Sequence, residues 1–508
     1  RPGEYCDVIP YRITSDNRLV VFVRSGYPRP IVNAVTRGSH NLDGKKWSGH
    51  LVEPVTMDTF GMTDDVEGNR RMIFDYVRGY AGLRPKNDQS WHVGDTYFPS
   101  PDRIDEAIEP VFVEVENPHK TFWPLQTGKE TTFSELGGIV ELDGADIILA
   151  SQVGLLPEPR LEMHVFDLMT RYNIPFPRWI GDGLPKLPGQ AVKMHEPETL
   201  LKEAERGEFE KENANPVRLK PVKAVFVEEG KVGRTTRGLS AQDIEFIVTD
   251  DGIENIAVVL PITRDWDNNL LVALEPKVMP VPNRLGGDGA MLNAPSFVLP
   301  KDVKTVEDAR AFVAGKFSVP VEQVLQLGES YFTHIGITPQ RIYPFTVAAP
   351  PQAGAGSILR YAMIKKLSRL MGKGYRTSGV TLKLLARVQM AADDGHGMSL
   401  QRDLSNQKNK GFSLSTEKVA VETKDGGYSA VPSRILGRRG GTKTAPEAVE
   451  VRGGKLSHSY AQAKVQVKTT PGIEKIDKNI NAVARSLFQN RQKKLELTPA
   501  GEKAPPKI

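Results

Sequence analysis

Val8-Ile9-Pro10 followed by Asp16-Asn17-Arg18-Leu19-Val20-Val21 recurs as Val259-Leu260-Pro261 followed by Asp267-Asn268-Asn269-Leu270-Leu271-Val272, always 251 residues later. Gly94-Asp95-Thr96-Tyr97-Phe98 recurs as Gly328-Glu329-Ser330-Tyr331-Phe332. Twelve residues beyond each Phe comes a Pro-led apolar stretch, Pro110-Val111-Phe112-Val113 and Pro344-Phe345-Thr346-Val347. The offset has now fallen to 234, so the second stretch is 17 residues shorter in its middle. Several matches in one order with matched internal spacing point to two copies of one domain. The period is far too long for a solenoid repeat.

Both copies predict the same elements. An apolar strand (Leu19–Val23; Leu270–Leu274) follows a polar Asp-Asn turn. A long Gly/Pro loop follows, 26–48 and 276–294, and then a short strand ending in proline, Leu51–Pro54 and Phe297–Pro300. Next comes one amphipathic helix. Ile73, Val77 and Tyr80 set its apolar face in the first copy; Ala309, Phe312, Val313 and Phe317 set it in the second. Asp64, Asp65 and Glu67, or Glu307 and Asp308, lie near the helix start, where the helix dipole favours acids. Further strands close each unit.

Across 508 residues, 39% are apolar and 25% charged, which supports a sizeable core and roughly three domains. The single cysteine, Cys6, excludes an intramolecular disulfide framework and a cysteine-built metal cage. No apolar run nears the length of a membrane helix, so no membrane insertion is expected. The chain opens at Arg1 without a signal-like segment, from a removed leader or a start inside a longer chain. An intracellular setting, cytoplasm or organelle matrix, is expected. The net charge of +5 conceals an asymmetry. Residues 348–508 hold 29 Lys/Arg against 12 Asp/Glu, and the rest of the chain 38 against 50. An acidic body with a basic last third suggests that the basic part faces an anion, either nucleic acid or an acidic protein surface.

Strand, loop, strand ending in Leu-Pro, then a helix closing on a small and an aliphatic residue resembles the Nudix fold. The resemblance rests on Phe297–Pro300 and Glu307 through Phe317-Ser318-Val319, and on Leu51–Pro54 and Glu67 through Ala81-Gly82-Leu83. It covers less than half of the chain. It implies an α+β protein with two α/β/α sandwich domains, residues 1–118 and 252–347, related by internal duplication. Residues 119–251 would form a linker region, 348–392 a basic helical segment, and 393–508 an extended basic arm.

The family's catalytic signature is G-x5-E-x7-R-E-U-x-E-E-x-G-U, with U aliphatic and the glutamates binding divalent metal. Aligned from the helix end, Ala311-Phe312-Val313-Ala314-Gly315-Lys316 stands where R-E-U-x-E-E should. The first copy offers Asp75-Tyr76-Val77-Arg78-Gly79-Tyr80. Diphosphate hydrolysis needs Mg²⁺ held by several oxygen ligands. Losing the glutamates therefore implies catalytically dead domains with no catalytic, cofactor or metal residue. Displaced acids (Asp64, Asp65, Glu67 and Asp75) keep a hydrolase reading open, since Glu67 and Asp75 lie about 80° apart around a helix. A nucleotide sensor acting on nucleic acid is a third reading.

Other patterns fail. Gln126-Thr127-Gly128-Lys129 lacks the upstream glycine of a phosphate loop, because Trp123 occupies that position. Gly354-Ala355-Gly356 reads as a linker, and Arg284–Gly289 as a glycine turn rather than an anion nest. The nine histidines form no zinc pattern. Between the copies, Gly138–Leu142 reads as a strand and 196–213 as a charged helix. After them, 358–371 reads as an amphipathic basic helix paired with a second at 380–390.

The preferred reading is a scaffold subunit of a large assembly, of organellar-ribosomal or virion type, without cofactors. Arg438, Arg439, Arg491, Lys493 and Lys494 are the expected contacts to nucleic acid or acidic protein, since Arg pairs with phosphate and carboxylate alike. Truncation at Asp393 is expected to leave the melting temperature unchanged and to abolish a partner association that weakens steeply with salt. A large fall in melting temperature with the association intact would instead make the arm an internal strap.

Overall fold

The computed structural model describes residues 3–392 apart from 34–38, 46, 48–49, 59–64, 105, 117–121, 125–137, 182, 186, 206–218, 233–235, 250, 285–288, 349–358 and 372–376. The first half begins with β1 (Gly3–Ile13), β2 (Leu19–Pro28), β3 (His50–Glu53), β4 (Val55–Asp58) and α1 (Val66–Gly79). It continues through β5 (Trp91–Val93), β6 (Glu106–Glu114), β7 (Phe122–Pro124) and β8 (Gly138–Asp143) to α2 (Gly144–Gln152) and α3 (Pro159–Arg171). Helix α4 (Pro197–Glu205) and a two-stranded ribbon, β9 (Leu219–Val232) and β10 (Thr236–Thr249), lie between the halves.

The second half opens with β11 (Asn255–Arg264), β12 (Leu270–Val278), α5 (Pro280–Arg284), β13 (Ala290–Asn293), β14 (Ser296–Val298) and α6 (Val306–Phe317). It closes with β15 (Val324–Gln326), β16 (Tyr331–Phe332), β17 (Arg341–Ala348), β18 (Arg360–Met363), α7 (Ile364–Met371) and α8 (Gly379–Ala392). The protein is thus a mixed α+β structure, with two multi-strand mixed sheets and eight α-helices among the described residues.

The two sheets carry the same ladder. Strand β1 runs parallel to β6 and antiparallel to β2 and β4; β11 does the same with β17, β12 and β14. The pair Tyr11↔Val21 has its counterpart in Ile262↔Val272, and Tyr5↔Ile108 in Ile256↔Ile342, at the offsets of 251 and 234. Both hairpin turns close alike. Asn17 N–H bonds Thr14 O as Asn268 N–H bonds Asp265 O, and both asparagines are left-handed, with φ of 59° and 63°. Asparagine tolerates that region where most side chains do not.

The correspondence continues past residues 118 and 347. Strand β8 pairs with β2 as β18 pairs with β12: Val20↔Asp143 answers Leu271↔Met363, an offset of 220 on the second strand. Helices α2 and α3 then match α7 and α8. The ladder also corrects two expectations. Phe297 pairs with β11 as Met57 pairs with β1, so Phe297–Pro300 answers β4, and Val52 and Glu53 of the Leu51–Pro54 stretch are answered by Leu292 and Asn293 of β13. The basic segment from residue 358 is not one helix: 360–363 are strand β18, whose backbone completes the sheet beside β12, and the helix starts only at Ile364. The helix expected over 196–213 is described as α4 over Pro197–Glu205; residues 206–213 lie outside the described residues.

Alternation along the strands sets the layers, because successive side chains point to opposite faces. Cys6, Val8, Val20 and Phe22 pack under α1, and Ala257, Val259, Tyr343 and Phe345 under α6. The opposite faces, with Ile9, Tyr11, Val21, Leu260, Ile262 and Val272, share one core with α2, α3, α4 and α8. The order is therefore α1, first sheet, central helices, second sheet, α6. Both faces of each sheet are covered, which is why the strands read as near-continuous apolar runs.

Replacing Asn17 or Asn268 with alanine is expected to cost about 1 kcal/mol each for the left-handed backbone. The two losses should add, because the hairpins are separate. Urea unfolding of both single variants and the double variant checks this.

Candidate functional site

The acids singled out on α1 do not converge. Asp65 caps the helix, its Oδ1 accepting from Glu67 N–H at 3.1 Å. Glu67 pairs with Arg70 at 2.6 Å and Asp75 with Arg78 at 3.3 Å, both on the exposed face of the same helix. Asp64 lies outside the described residues. In α6, Phe312 and Lys316 stand where the signature carries glutamates, and the Lys316 ammonium lies 5.1 Å from the Phe312 ring and 6.0 Å from that of Phe297. Among the described residues, no three His, Cys, Asp or Glu side chains are grouped to hold a metal ion. Arg438, Arg439, Arg491, Lys493 and Lys494, and the discarded stretches 126–129 and 354–356, lie outside the described residues.

The charged groups that do converge lie in the seam between the sheets. Glu162 of α3 is wholly buried. It meets Lys383 Nζ at 2.8 Å and Arg387 Nε and Nη2 at 2.9 Å each, both from α8. Ser151 of α2 donates its hydroxyl to the same carboxylate, and Lys383 donates to the Ser151 oxygen at 3.2 Å. Arg387 reaches across to the carbonyls of Leu327 (2.7 Å) and Glu329 (3.1 Å). The Tyr331 ring lies 4.0 Å from the Lys383 ammonium, a cation–π contact that helps to hold the second buried cation.

Burial pushes the Glu162 carboxyl up, but Arg387 and then Lys383 outweigh it and hold it at about 2. Burial also depresses Lys383, with Glu162 only partly restoring it, to about 8. A second cluster ties the first sheet to α3. Asp7 of β1, fully buried, pairs with Arg160 at 3.0 Å and His164 Nε2 at 2.9 Å, and accepts from the Thr56 hydroxyl at 2.6 Å. Burial pushes Asp7 up; Arg160 and His164 bring it below its ordinary value.

Each half also sends its long loop into the other. From the first half, Arg341 of β17 is engaged by Asp43 and by Asn41 Oδ1 at 2.6 Å, and stacks 4.6 Å from the Trp47 ring. Leu42 N–H donates to the Tyr343 hydroxyl, and its side chain joins the core under α6. From the second half, Met279, Val281 and Met291 pack on Phe98 and Ala107, and Val281 N–H bonds Pro101 O. Glu106 and His334 add a cross-seam pair at 2.9 Å. The loops that flank one end of each sheet are thus filled with the sister half's side chains.

These seam residues were not singled out in sequence. Helix α8 carried a signal: it is apolar on nearly every side, so Lys383 and Arg387, one turn apart, had to meet an acid in the interior. No protein-family model matches the chain, and no curated protein matches it in sequence.

Removing Glu162 leaves two buried cations without their acid, whereas removing Lys383 leaves a paired Glu162–Arg387. Glu162→Gln is therefore expected to cost roughly 3–5 kcal/mol and Lys383→Met far less. Equal losses in urea unfolding would contradict the assignment. Because the folded Glu162 pKa lies below its unfolded value, its contribution is complete above about pH 4.5 and is lost as pH falls toward 2. Wild type should lose more stability across that window than Glu162→Gln.

Proposed function

We propose that this chain is a non-catalytic structural subunit of a larger assembly. It is built from two Nudix-like α/β/α halves related by internal duplication, with a basic C-terminal arm for partner contacts. The observation that carries the reading is the exchange of long loops across the seam, which fills with sister-half side chains the sheet ends where a hydrolase would need an open cleft. The absence of clustered carboxylates on α1 and α6, among the described residues, supports it. So do the matched ladders, which we take as the trace of one ancestral unit. That unit is wider than 1–118 and 252–347, running on through α3 and through α8, so that 138–171 and 360–392 belong to the halves rather than to a linker and a separate helical segment.

The arm, from about residue 393, would supply electrostatic contacts to nucleic acid or to acidic subunits through Arg438, Arg439, Arg491, Lys493 and Lys494. No helix among the described residues is long and apolar enough to cross a membrane. A seam closed by buried ion pairs suits a part kept for its shape, since it holds the outer surfaces of both halves in one fixed relation.

Purified full-length protein with Mg²⁺ or Mn²⁺ is expected to leave a panel of nucleoside diphosphate derivatives intact. Turnover that disappears in a Glu67→Ala, Asp75→Ala variant would replace the scaffold reading with a hydrolase using displaced acids.

A further inference from the structure

A cleft of about 200 Å³ opens on the second half, where the β11–β12 turn meets the start of α7 and the end of α8. Its floor is apolar, with Phe176, Leu270 and Met390, and the exposed Ala392 ends α8 at its edge. Phe176 stacks on Phe166 with 4.8 Å between centroids, so one aromatic ring of the floor is held in place. A cavity of about 150 Å³ holds benzene, so this cleft has room for one large aromatic side chain. Arg264 and Lys365 stand at the rim, and Asp265 and Asp267 of the adjoining turn balance their charge.

That turn also carries an aromatic knob. Trp266 lies between the two acids and is 74% exposed. The turn is tightly bonded: Asn268 N–H donates to Asp265 O at 3.0 Å, and Asn269 N–H to Asp265 Oδ1 at 2.8 Å. A side chain at Gly189 would meet Asp265 O and the Trp266 ring, so the indole rests against that segment. It is not among the residues that line its own cleft. An apolar ring is thus held out in water next to a hole of its own size.

The first half makes the same turn and the same helix end with neither feature. At the offset of 251, Trp266 answers Ser15. At the offset of 220, α8 answers α3 from Gly379 and Pro159 onward, so Ala392 answers Tyr172. Tyr172 packs its ring on Tyr11, 5.6 Å between centroids, and the two hydroxyls are hydrogen-bonded. The first half therefore has a tyrosine at its helix end and shows a serine on its turn. The second has an alanine beside an open cleft and shows a tryptophan. The fold requires neither the hole nor the knob, and both occur on one surface.

We propose that this surface is self-complementary, and that two copies of the chain pair through it about a two-fold axis. Trp266 of each copy enters the cleft of the other. A two-fold contact uses one patch twice, so knob and hole have to lie on the same patch, as they do here. Asp265 and Asp267 flank the knob and Arg264 and Lys365 flank the hole, so each insertion brings acids to cations. Because these charges already balance within one chain, they set the register more than the strength. A tryptophan buries about 150–250 Å², so two of them fall short of the roughly 1,200 Å² of a stable interface. The dimer is accordingly weak, with a Kd of roughly 10–100 µM. The proposal does not depend on the scaffold reading, because a hydrolase could pair in the same way.

Sedimentation velocity on the full-length chain, from about 1 to 200 µM in about 0.5 M salt, tests it under conditions that screen contacts of the basic arm. A concentration-dependent dimer is expected. Trp266→Ser and Ala392→Tyr, which install the residues of the first half, should each weaken it at least about tenfold. Val298→Ser, at an exposed apolar residue outside the cleft, should leave it unchanged. All three positions are exposed, and urea unfolding should confirm that the variants fold. Free indole at millimolar concentration repeats the test without a substitution and should dissociate the wild-type dimer. A chain that stays monomeric, or a dimer that ignores both cleft variants, overturns the proposal. Loss in Trp266→Ser alone, with Ala392→Tyr and indole silent, would seat the tryptophan on another surface and overturn the cleft as its receptor. Growth beyond the dimer would overturn the two-fold pairing. Association seen only at low salt would belong to the basic arm on another copy's acidic body, and would overturn it too.

Discussion

Glu162 is a carboxylate with no exposed surface, and it can remain ionised only while α8 brings Lys383 and Arg387 to it. A charge so deeply buried is costly without partners and tolerable with them. Separating the halves would leave one carboxylate on α3 and two cations on α8, each next to apolar neighbours. The shared core alone would resist separation through its apolar area. The ion cluster adds a requirement of position, since small displacements that barely change buried area would break its 2.8–2.9 Å contacts. The Arg387 bonds to Leu327 O and Glu329 O extend that requirement to the loop before β16.

The rest of the seam follows from this fixed distance. With the central helices locked, the loop around Leu42 can reach the core under α6, and the loop around Val281 can reach Phe98. Arg341 illustrates the coupling. It is a strand residue of the second sheet whose guanidinium donates to Ser330 in its own half and also engages Asp43, Asn41 and Trp47 of the first half. Both sheets are consequently buried on two faces, and the halves behave as one body with five layers.

Much of this order was legible in the spacing of the repeat. A constant offset of 251 across the Asp-Asn turn required the same hairpin twice, and both asparagines take the same left-handed backbone. Gly138–Leu142 read as a strand and 380–390 as a helix, but that the closing strand and its helices continue the repeat was not legible. Val140-Glu141-Leu142-Asp143 and Arg360-Tyr361-Ala362-Met363 share a ladder position but no residue, because a strand buried beside a neighbour asks for shape and apolar area rather than identity. The four-residue strand at Arg360 also merges in sequence with the α7 pattern, so apolar spacing alone reads through the junction. The seam charges were hidden for another reason. An ion pair between residues 221 apart in sequence, Glu162 and Lys383, leaves no local signal on α3, and only the all-round apolar character of α8 betrays a buried site.

Two similar halves packed face to face raise a question of selectivity, since the matching surface of a second chain could compete with the sister half. The charges answer it. At the offset of 220, Glu162 corresponds to Leu382, Lys383 to Met163 and Arg387 to Asp167. The cluster therefore has one sign on α3 and the other on α8, with no reciprocal copy. Pairing α3 with another α3 would set Glu162 against a second Glu162, with Met163 and Asp167 in place of Lys383 and Arg387, while the buried Arg160 and Arg171 of α3 stay engaged by Asp7, Glu158 and Asp167. Pairing α8 with α8 would bring four cations together. Each wrong pairing leaves buried charge uncompensated, which costs several kcal/mol per site. The difference between the halves at these three positions favours the α3–α8 contact over both symmetric alternatives, and within one chain that contact is also the one with no association entropy to overcome.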